Sequence, residues 1–226
     1  RQHDDLKQLL APYGDSLVVN QSPSYIKVHL HTDAVVNVTE VLQQYGTILH
    51  QKVDDMHKQY AITHQRKYKI AVLTDSTANL PEAFIDAEQV HVMPVWVHLG
   101  EHHLLDNLTI QLPTLYKMLD EHQGMQAKTA VPSGELIYRQ LSYLADHHDG
   151  VVVLTISSKL SSMYEAMQQQ AKKIDRVPIV VFDTQNTSAG QGFLVMEAVR
   201  FVKEGHDVNA VIKRLEETRE KIKIYV

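Results

Sequence analysis

Three apolar runs constrain this chain most. KIAVLTD (69–75), GVVVLTI (150–156) and VPIVVFD (177–183) carry almost no polar residue before their last positions. A strand with one wet face alternates apolar and polar residues. A strand covered on both faces does not, and such runs belong to parallel sheets buried under helices. The spacing predicts helices at 110–122, 133–147, 161–174, 187–204 and 207–221. Strands alternating with helices over short links imply βαβ units and a parallel sheet. HVMPVWVHL (91–99) reads as a further strand, but Pro94 removes a ladder donor and demotes it to an edge or irregular strand. KIYV (223–226) begins one more.

A different rhythm fills the first sixty or so residues. Leu6, Leu9 and Leu10 at helical spacing predict a short helix over 3–12, stopped by Tyr13-Gly14-Asp15. SLVVN (16–20) and YIKVHLHT (25–32) read as two strands joined by Gln21-Ser22-Pro23. The second puts Ile26, Val28 and Leu30 on one face and Lys27, His29 and His31 on the other. A helix over 35–44 and a third strand at 47–53 complete a small α+β module. The expected organisation is therefore an α+β module over 1–60, a partly helical connector at 61–67 and an α/β domain over 68–226.

Composition narrows the functions. The apolar runs are too short to span a bilayer, and the polar opening RQHDDLKQLL is unlike a signal peptide, so a cytoplasmic location is expected. The chain has no cysteine, which removes disulfides, thiolate nucleophiles and cysteine-bound metal. A formal net charge of −5 with no basic stripe argues against nucleic-acid binding, which needs cations to displace counterions. The 14 histidines lie mostly in polar stretches and make the net charge sensitive around pH 5–7.

Each buried strand leads into a hydroxyl-rich turn: Asp75-Ser76-Thr77-Ala78-Asn79, Ser157-Ser158-Lys159-Leu160-Ser161-Ser162, and Asp183-Thr184-Gln185-Asn186-Thr187-Ser188. A fourth, Lys128-Thr129-Ala130-Val131-Pro132-Ser133, precedes the helix at 133. Every helix start needs such a residue as a cap, so one turn alone signifies little. Several together, at the carboxyl ends of parallel strands, make a ligand rim where helix N-termini favour a carboxylate or phosphate. No GxxxxGK[ST], GxSxG or GxGxxG motif occurs. Asp75, Asp106 and Asp183 have no spacing that argues for a magnesium cluster, and His29 with His31 offers two imidazoles on one strand face, half a metal site.

The same turns carry a resemblance. Asp75-Ser76-Thr77-Ala78-Asn79-Leu80-Pro81 is similar to the opening signature of DegV proteins. Lys128 through Ser133, Ile156 through Tyr164, and Phe182-Asp183-Thr184 with Ser188-Ala189-Gly190-Gln191-Gly192 resemble three further DegV segments, in the family's order. The resemblance implies an α/β fold with a parallel sheet that binds a long-chain fatty acid and performs no chemistry. It gives Thr129 and Ser161 hydrogen bonds to the carboxylate, with Ser76, Ser188, Ser133 and Ser162 lining the same crevice, and no cofactor beyond the bound acid. Ala130 and Val131 stand where the family carries Ser and Gln, and Ser162-Met163 where it carries Gly-Thr. The chain ends where the family's second domain would begin, so that domain is expected to be absent from it. Gly14 through Val19 and Ile26 through Thr32 resemble part of the fatty acid kinase subunit, in a region where His29 and His31 would belong to a metal site that also uses a Cys. The expected partners are therefore a long-chain fatty acid and a fatty acid kinase subunit. Two other readings stay open: a kinase- or phosphatase-like enzyme acting on a phosphorylated small molecule, and a docking module without a ligand.

Overall fold

A computed structural model describes residues 2–121 and 124–223, with side chains from residue 5 onward. In chain order the elements are α1 (Gln2–Leu10), a 3-10 turn (Ala11–Tyr13), β1 (Asp15–Gln21), β2 (Ile26–His31), α2 (Val35–Tyr45), α3 (Met56–His64) and β3 (Ile70–Asp75). Then follow α4 (Glu82–Ala87), β4 (His91–Met93), β5 (Trp96–Leu99), β6 (His102–Leu105), α5 (Leu112–Glu121) and β7 (Ala127–Ala130). The last are α6 (Gly134–His147), β8 (Gly150–Thr155), α7 (Met163–Ala171), β9 (Ile179–Asp183), α8 (Ser188–Lys203) and α9 (Val208–Arg219). The expected strand at 223–226 lies almost wholly outside the described residues, as does residue 122 of the expected helix at 110–122.

The chain forms two compact units, residues 54–95 with 130–226 and residues 1–53 with 96–129. The larger is built on four parallel strands in the order β4-β3-β8-β9. Every residue of β3 and β8 is buried. Their side chains alternate between two cores, as the two-residue period of a strand requires. Ala71, Leu73, Val151 and Val153 pack with Ile137, Leu141 and Leu144 of α6 and Met163 and Met167 of α7. Ile70, Val72, Val152 and Leu154 pack with Leu194, Val195 and Ala198 of α8 and Val211 and Leu215 of α9. Ser133 caps α6 by accepting from the Leu136 N–H at 3.3 Å, and Asp207 caps α9 through Ala210 at 2.8 Å.

The smaller unit holds two sheets. β1 and β2 form an antiparallel hairpin over a core of Leu6, Leu10, Val19 and Val38. A three-stranded sheet in the order β6-β5-β7 covers Val97, Leu99, Leu104 and Ile110.

Three sequence expectations need correction here, and two elements went unread. Residues 47–53 form no strand: Ile48 packs against the Val97 cluster, and Gln51 Nε2 donates to the His103 carbonyl at 2.6 Å, so side-chain contacts rather than a backbone ladder hold the segment. The run 91–99 is two strands in two different sheets, broken at Pro94-Val95. Thr129 sits on strand β7 rather than in a turn, and β7 belongs to the three-stranded sheet, so its turn does not follow a strand of the parallel sheet. The short elements α4 and β6 were not legible, because six and four residues carry too little periodicity.

Candidate ligand site at the switch point of the sheet

The parallel sheet changes direction between β3 and β8. The chain passes from β3 to β4 on one side, and β8 then adds to the other side of β3. The helices follow suit: Phe84 and Ile85 of α4 pack on the Val72 side of the sheet, whereas Met163 and Met167 of α7 pack on the Leu73 side. The loops leaving β3 and β8 therefore lead to opposite faces of the sheet, and the carboxyl ends of the strands at such a switch point are the usual ligand position in open α/β sheets.

Hydrogen bonds tie the loops along this rim into one framework. Asp75 is fully buried at the end of β3. Its Oδ2 accepts the Ile156 N–H at 2.8 Å across the crevice floor. Its Oδ1 accepts the Thr77 N–H at 3.1 Å, the Thr77 hydroxyl, and Gln191 Nε2 at 3.1 Å. Gln191 on α8 is also fully buried and donates to Thr74 Oγ1 at 3.1 Å while accepting from Thr77 Oγ1 at 2.9 Å. A buried carboxylate is tolerable only when donors saturate it in this way. At the next gap, Asp183 accepts from the Ser158 N–H at 3.1 Å and the Ser158 hydroxyl at 2.6 Å, and the Ser157 N–H donates to the Asn186 carbonyl at 2.8 Å. Arg219 of α9 reaches the end of β9, donating to the Asp183 carbonyl at 2.7 Å with its guanidinium 4.7 Å from the Phe182 ring centroid.

Within this framework the predicted residues hold different positions. Ser76 is buried, its Oγ accepts the Val95 N–H at 3.0 Å, and its hydroxyl proton remains available to a further acceptor. Ser161 is half-buried just before α7, and its Oγ accepts the Met163 N–H at 3.2 Å, again leaving the proton free to donate. Ser188 opens α8 with φ 52, in the left-handed region that non-glycine residues avoid. Its N–H donates to the Thr77 carbonyl at 3.2 Å and its carbonyl accepts from Asn79 at 3.3 Å, so the loop after β3 holds it there. Gly192, one turn on, would put a Cβ 3.0 Å from the Asn79 carbonyl, so the absence of a side chain lets α8 approach this loop. Ser162 is exposed at the start of α7 and makes no side-chain cap. Ser133 is engaged as the cap of α6. Thr129 is exposed on β7 in the other compact unit.

Ser76 and Ser188 are thus joined through Thr77 and Asn79, and Ser161 follows the loop that Asp75 and Asp183 anchor. Sequence reasoning missed Gln191 and the structural duty of Asp75 and Asp183. The signal was present in a polar residue on an otherwise apolar helix face beside Leu194, Val195 and Ala198. It also missed Thr155, at the end of β8, whose buried hydroxyl has no hydrogen-bond partner among the described residues. His29 and His31 lie on the exposed face of β2 with ring centroids 5.1 Å apart, and His31 Nδ1 is 3.6 Å from Asp15 Oδ1. Among the described residues no group of three or more His, Asp or Glu side chains is placed to hold a metal ion. Nor is any helix among them long and apolar enough to cross a membrane.

Known proteins share this fold. Protein DegV of Bacillus subtilis (strain 168) is 26% identical over 159 residues, covering 69% of this chain and 56% of that protein. A DegV domain-containing protein of Staphylococcus aureus (strain COL) is 29% identical over 163 residues, covering 70% and 56%. The chain spans about half the length of the curated relatives it matches. Among solved structures, the B. subtilis fatty acid binding protein DegV shares the fold with a TM-score of 0.65 at 24% identity, over 68% of this chain and 55% of that one. A DegV family protein from Thermus thermophilus, described by its fatty acid binding, gives a TM-score of 0.62 at 30% identity over 67% and 54%. The model for the FakA-like middle domain of fatty acid kinase matches residues 1–63. The model for uncharacterised proteins of the DegV family matches residues 69–226, a span that takes in β3, β8, β9 and every loop of the crevice, and the chain belongs to that family.

Proposed function

We propose that the protein binds a long-chain fatty acid without transforming it, and that the carboxylate lies at the crevice between the loops after β3 and β8. The observation that carries this reading is the Ser161 hydroxyl. It is half-buried at a helix start, it is fixed by accepting from the Met163 N–H, and its proton is free for a carboxylate oxygen. The Ser76 hydroxyl is fixed in the same manner, and Ser188, Ser133 and Ser162 supply further polar surface on the same unit. Fatty acid binding is also how the T. thermophilus relative is described. The family resemblance gives Thr129 a carboxylate contact too.

The tail supplies most of the affinity. Burying a methylene is worth about 0.8 kcal/mol, so some fifteen of them offer an upper bound of about 12 kcal/mol. One hydroxyl–carboxylate hydrogen bond adds roughly 1.5–3 kcal/mol. The hydroxyls therefore fix which end of the acid faces out. The match of residues 1–63 to a fatty acid kinase domain supports a further step, in which the bound acid is presented to a fatty acid kinase.

Organic extraction and mass spectrometry of the purified protein should release a long-chain acid. In a fatty-acid titration Ser161→Ala should weaken binding roughly tenfold, with Thr129→Ala measured alongside it. An unchanged affinity in Ser161→Ala would remove the proposed head-group contact. Release of phosphate from ATP or from an acyl-phosphate by the chain alone would favour the enzyme reading instead.

A further inference from the structure

Strand β4 lies at the edge of the parallel sheet and is three residues long. It pairs with β3 alone, at Leu73–His91, Thr74–Val92 and Asp75–Met93. The far end of this short ladder holds Ser76. The Ser76 N–H donates to the Met93 carbonyl at 2.9 Å, and the Val95 N–H donates to Ser76 Oγ at 3.0 Å. Both ties of Ser76 run to residues 93–95, so they last only while β4 lies on β3.

The near end of the ladder is a buried histidine. His91 stands on the same sheet face as Met93, which packs with Ile62 of α3 and Leu144 of α6. Its ring centroid is 5.8 Å from that of His148, also buried, just after α6. The charges around the pair offer a second proton no anion. Lys58 of α3 is a cation, with Nζ 3.4 Å from Asp86 of α4 and 3.7 Å from Asp55. Asp149, beside His148, is matched by Arg66 at 3.9 Å, and His147 is a further base rather than an acid. The charged residue of β3, Asp75, lies at the Met93 end, where Ile156, Thr77 and Gln191 occupy its oxygens. No carboxylate pairs with either imidazole among the described residues. A proton added to His91 is thus a buried unpaired charge, and moving the ring into water relieves it.

We infer that β4 is an acid-released clasp on Ser76: protonation of His91 lifts the strand from β3, and Ser76 loses both of its ties. The consequence for a ligand rests on the fatty-acid reading, in which Ser76 is one of the head-group hydroxyls. The opened strand binds its proton near the ordinary histidine value of about 6.5, whereas burial holds the closed one at about 3. Opening therefore gains up to about tenfold per pH unit as the pH falls below about 6.5. A three-residue edge strand also opens more readily than β8, which is paired on both sides.

Native-state hydrogen exchange of the full chain tests the clasp, with rates corrected for the pH dependence of intrinsic exchange. The Ser76 and Val95 amides should be less protected than those of Val152 and Val153. Their protection should fall by up to about tenfold between about pH 6 and about pH 5, and His91→Leu should remove most of that fall. Protection equal to that of Val152 and Val153 would mean that β4 leaves only with the whole sheet, and would overturn the clasp. So would an equal fall in His91→Leu. The first comparison needs wild type alone, so it decides even if the variant fails to fold. In a fatty-acid titration over the same range, wild type should lose more affinity than His91→Leu. A chain that binds no acid at any pH would sink the fatty-acid reading, and the exchange result would still decide the clasp.

Discussion

The parallel sheet and the front hairpin show two ways of burying a strand. β3 and β8 are covered at every position and contribute to a core on each face. In the hairpin one residue of β1, Val19, is buried, and none of β2 is. The hairpin faces a single small core of Leu6, Leu10, Val19 and Val38. A strand with two covered faces loses contacts on either side when shortened, so its side chains tolerate little change. A strand with one covered face can spend the other on polar groups, as His29 and His31 do. The difference teaches where function has room: in the sheet it is confined to the strand ends, where the chain leaves the core.

The largest expected effect breaks the two-faced core. Leu154 is fully buried, and Leu154→Ala should cost about 3 kcal/mol in a denaturant melt of the larger unit. A loss below about 1 kcal/mol would show that the second face is loosely packed.

Acid should expose a second weakness in the same unit. His91 on β4 is buried with its ring centroid 5.8 Å from that of His148. Burial, with smaller contributions from the nearby charges of His148 and Lys58, depresses the His91 pKa to about 3. Burial likewise lowers that of His148, opposed by its contact with the Leu144 carbonyl and by Asp149 and reinforced by Arg66 and His147. An unfolded histidine binds its proton near pH 6.5, while the folded His91 does not. Stability is therefore lost as pH falls from about 6.5 toward 3, at up to about 1.4 kcal/mol per unit, or roughly 2 kcal/mol between pH 6.5 and 5. Melts of wild type and His91→Leu at pH 7 and 5 check this, since the variant should lose less. Parallel pH dependence in the two would place the acid sensitivity elsewhere.

The smallest effect belongs to the hairpin. Val18 is 47% exposed on β1, and Val18→Thr should change stability by no more than about 0.5 kcal/mol. A larger loss would mean that the outer face of the hairpin is covered by a partner, which dissociation on dilution would reveal.

Much of this was legible beforehand, and for a physical reason. Uninterrupted runs such as Val151-Val152-Val153-Leu154 have one stable environment, the middle of a covered parallel sheet. The hydroxyl-rich loops mark helix starts because caps are a local requirement. Those two local rules, with the DegV-like motifs, indicated the sheet, its helices and the loops around Ser76, Ser161 and Ser188.

The sequence alone determined these elements because burial period and capping depend on near neighbours. Tertiary structure decided the rest. It chose which strands lie side by side, and hence that the switch point of the sheet falls between β3 and β8. It sent Val95 into one core and Val97 into another. It brought Gln191 onto Asp75 across 116 residues, and Ile156 across 81. Partners that far apart leave no periodic trace, because a hydrogen bond to a buried carboxylate depends on where the backbones meet and not on what stands next to either residue.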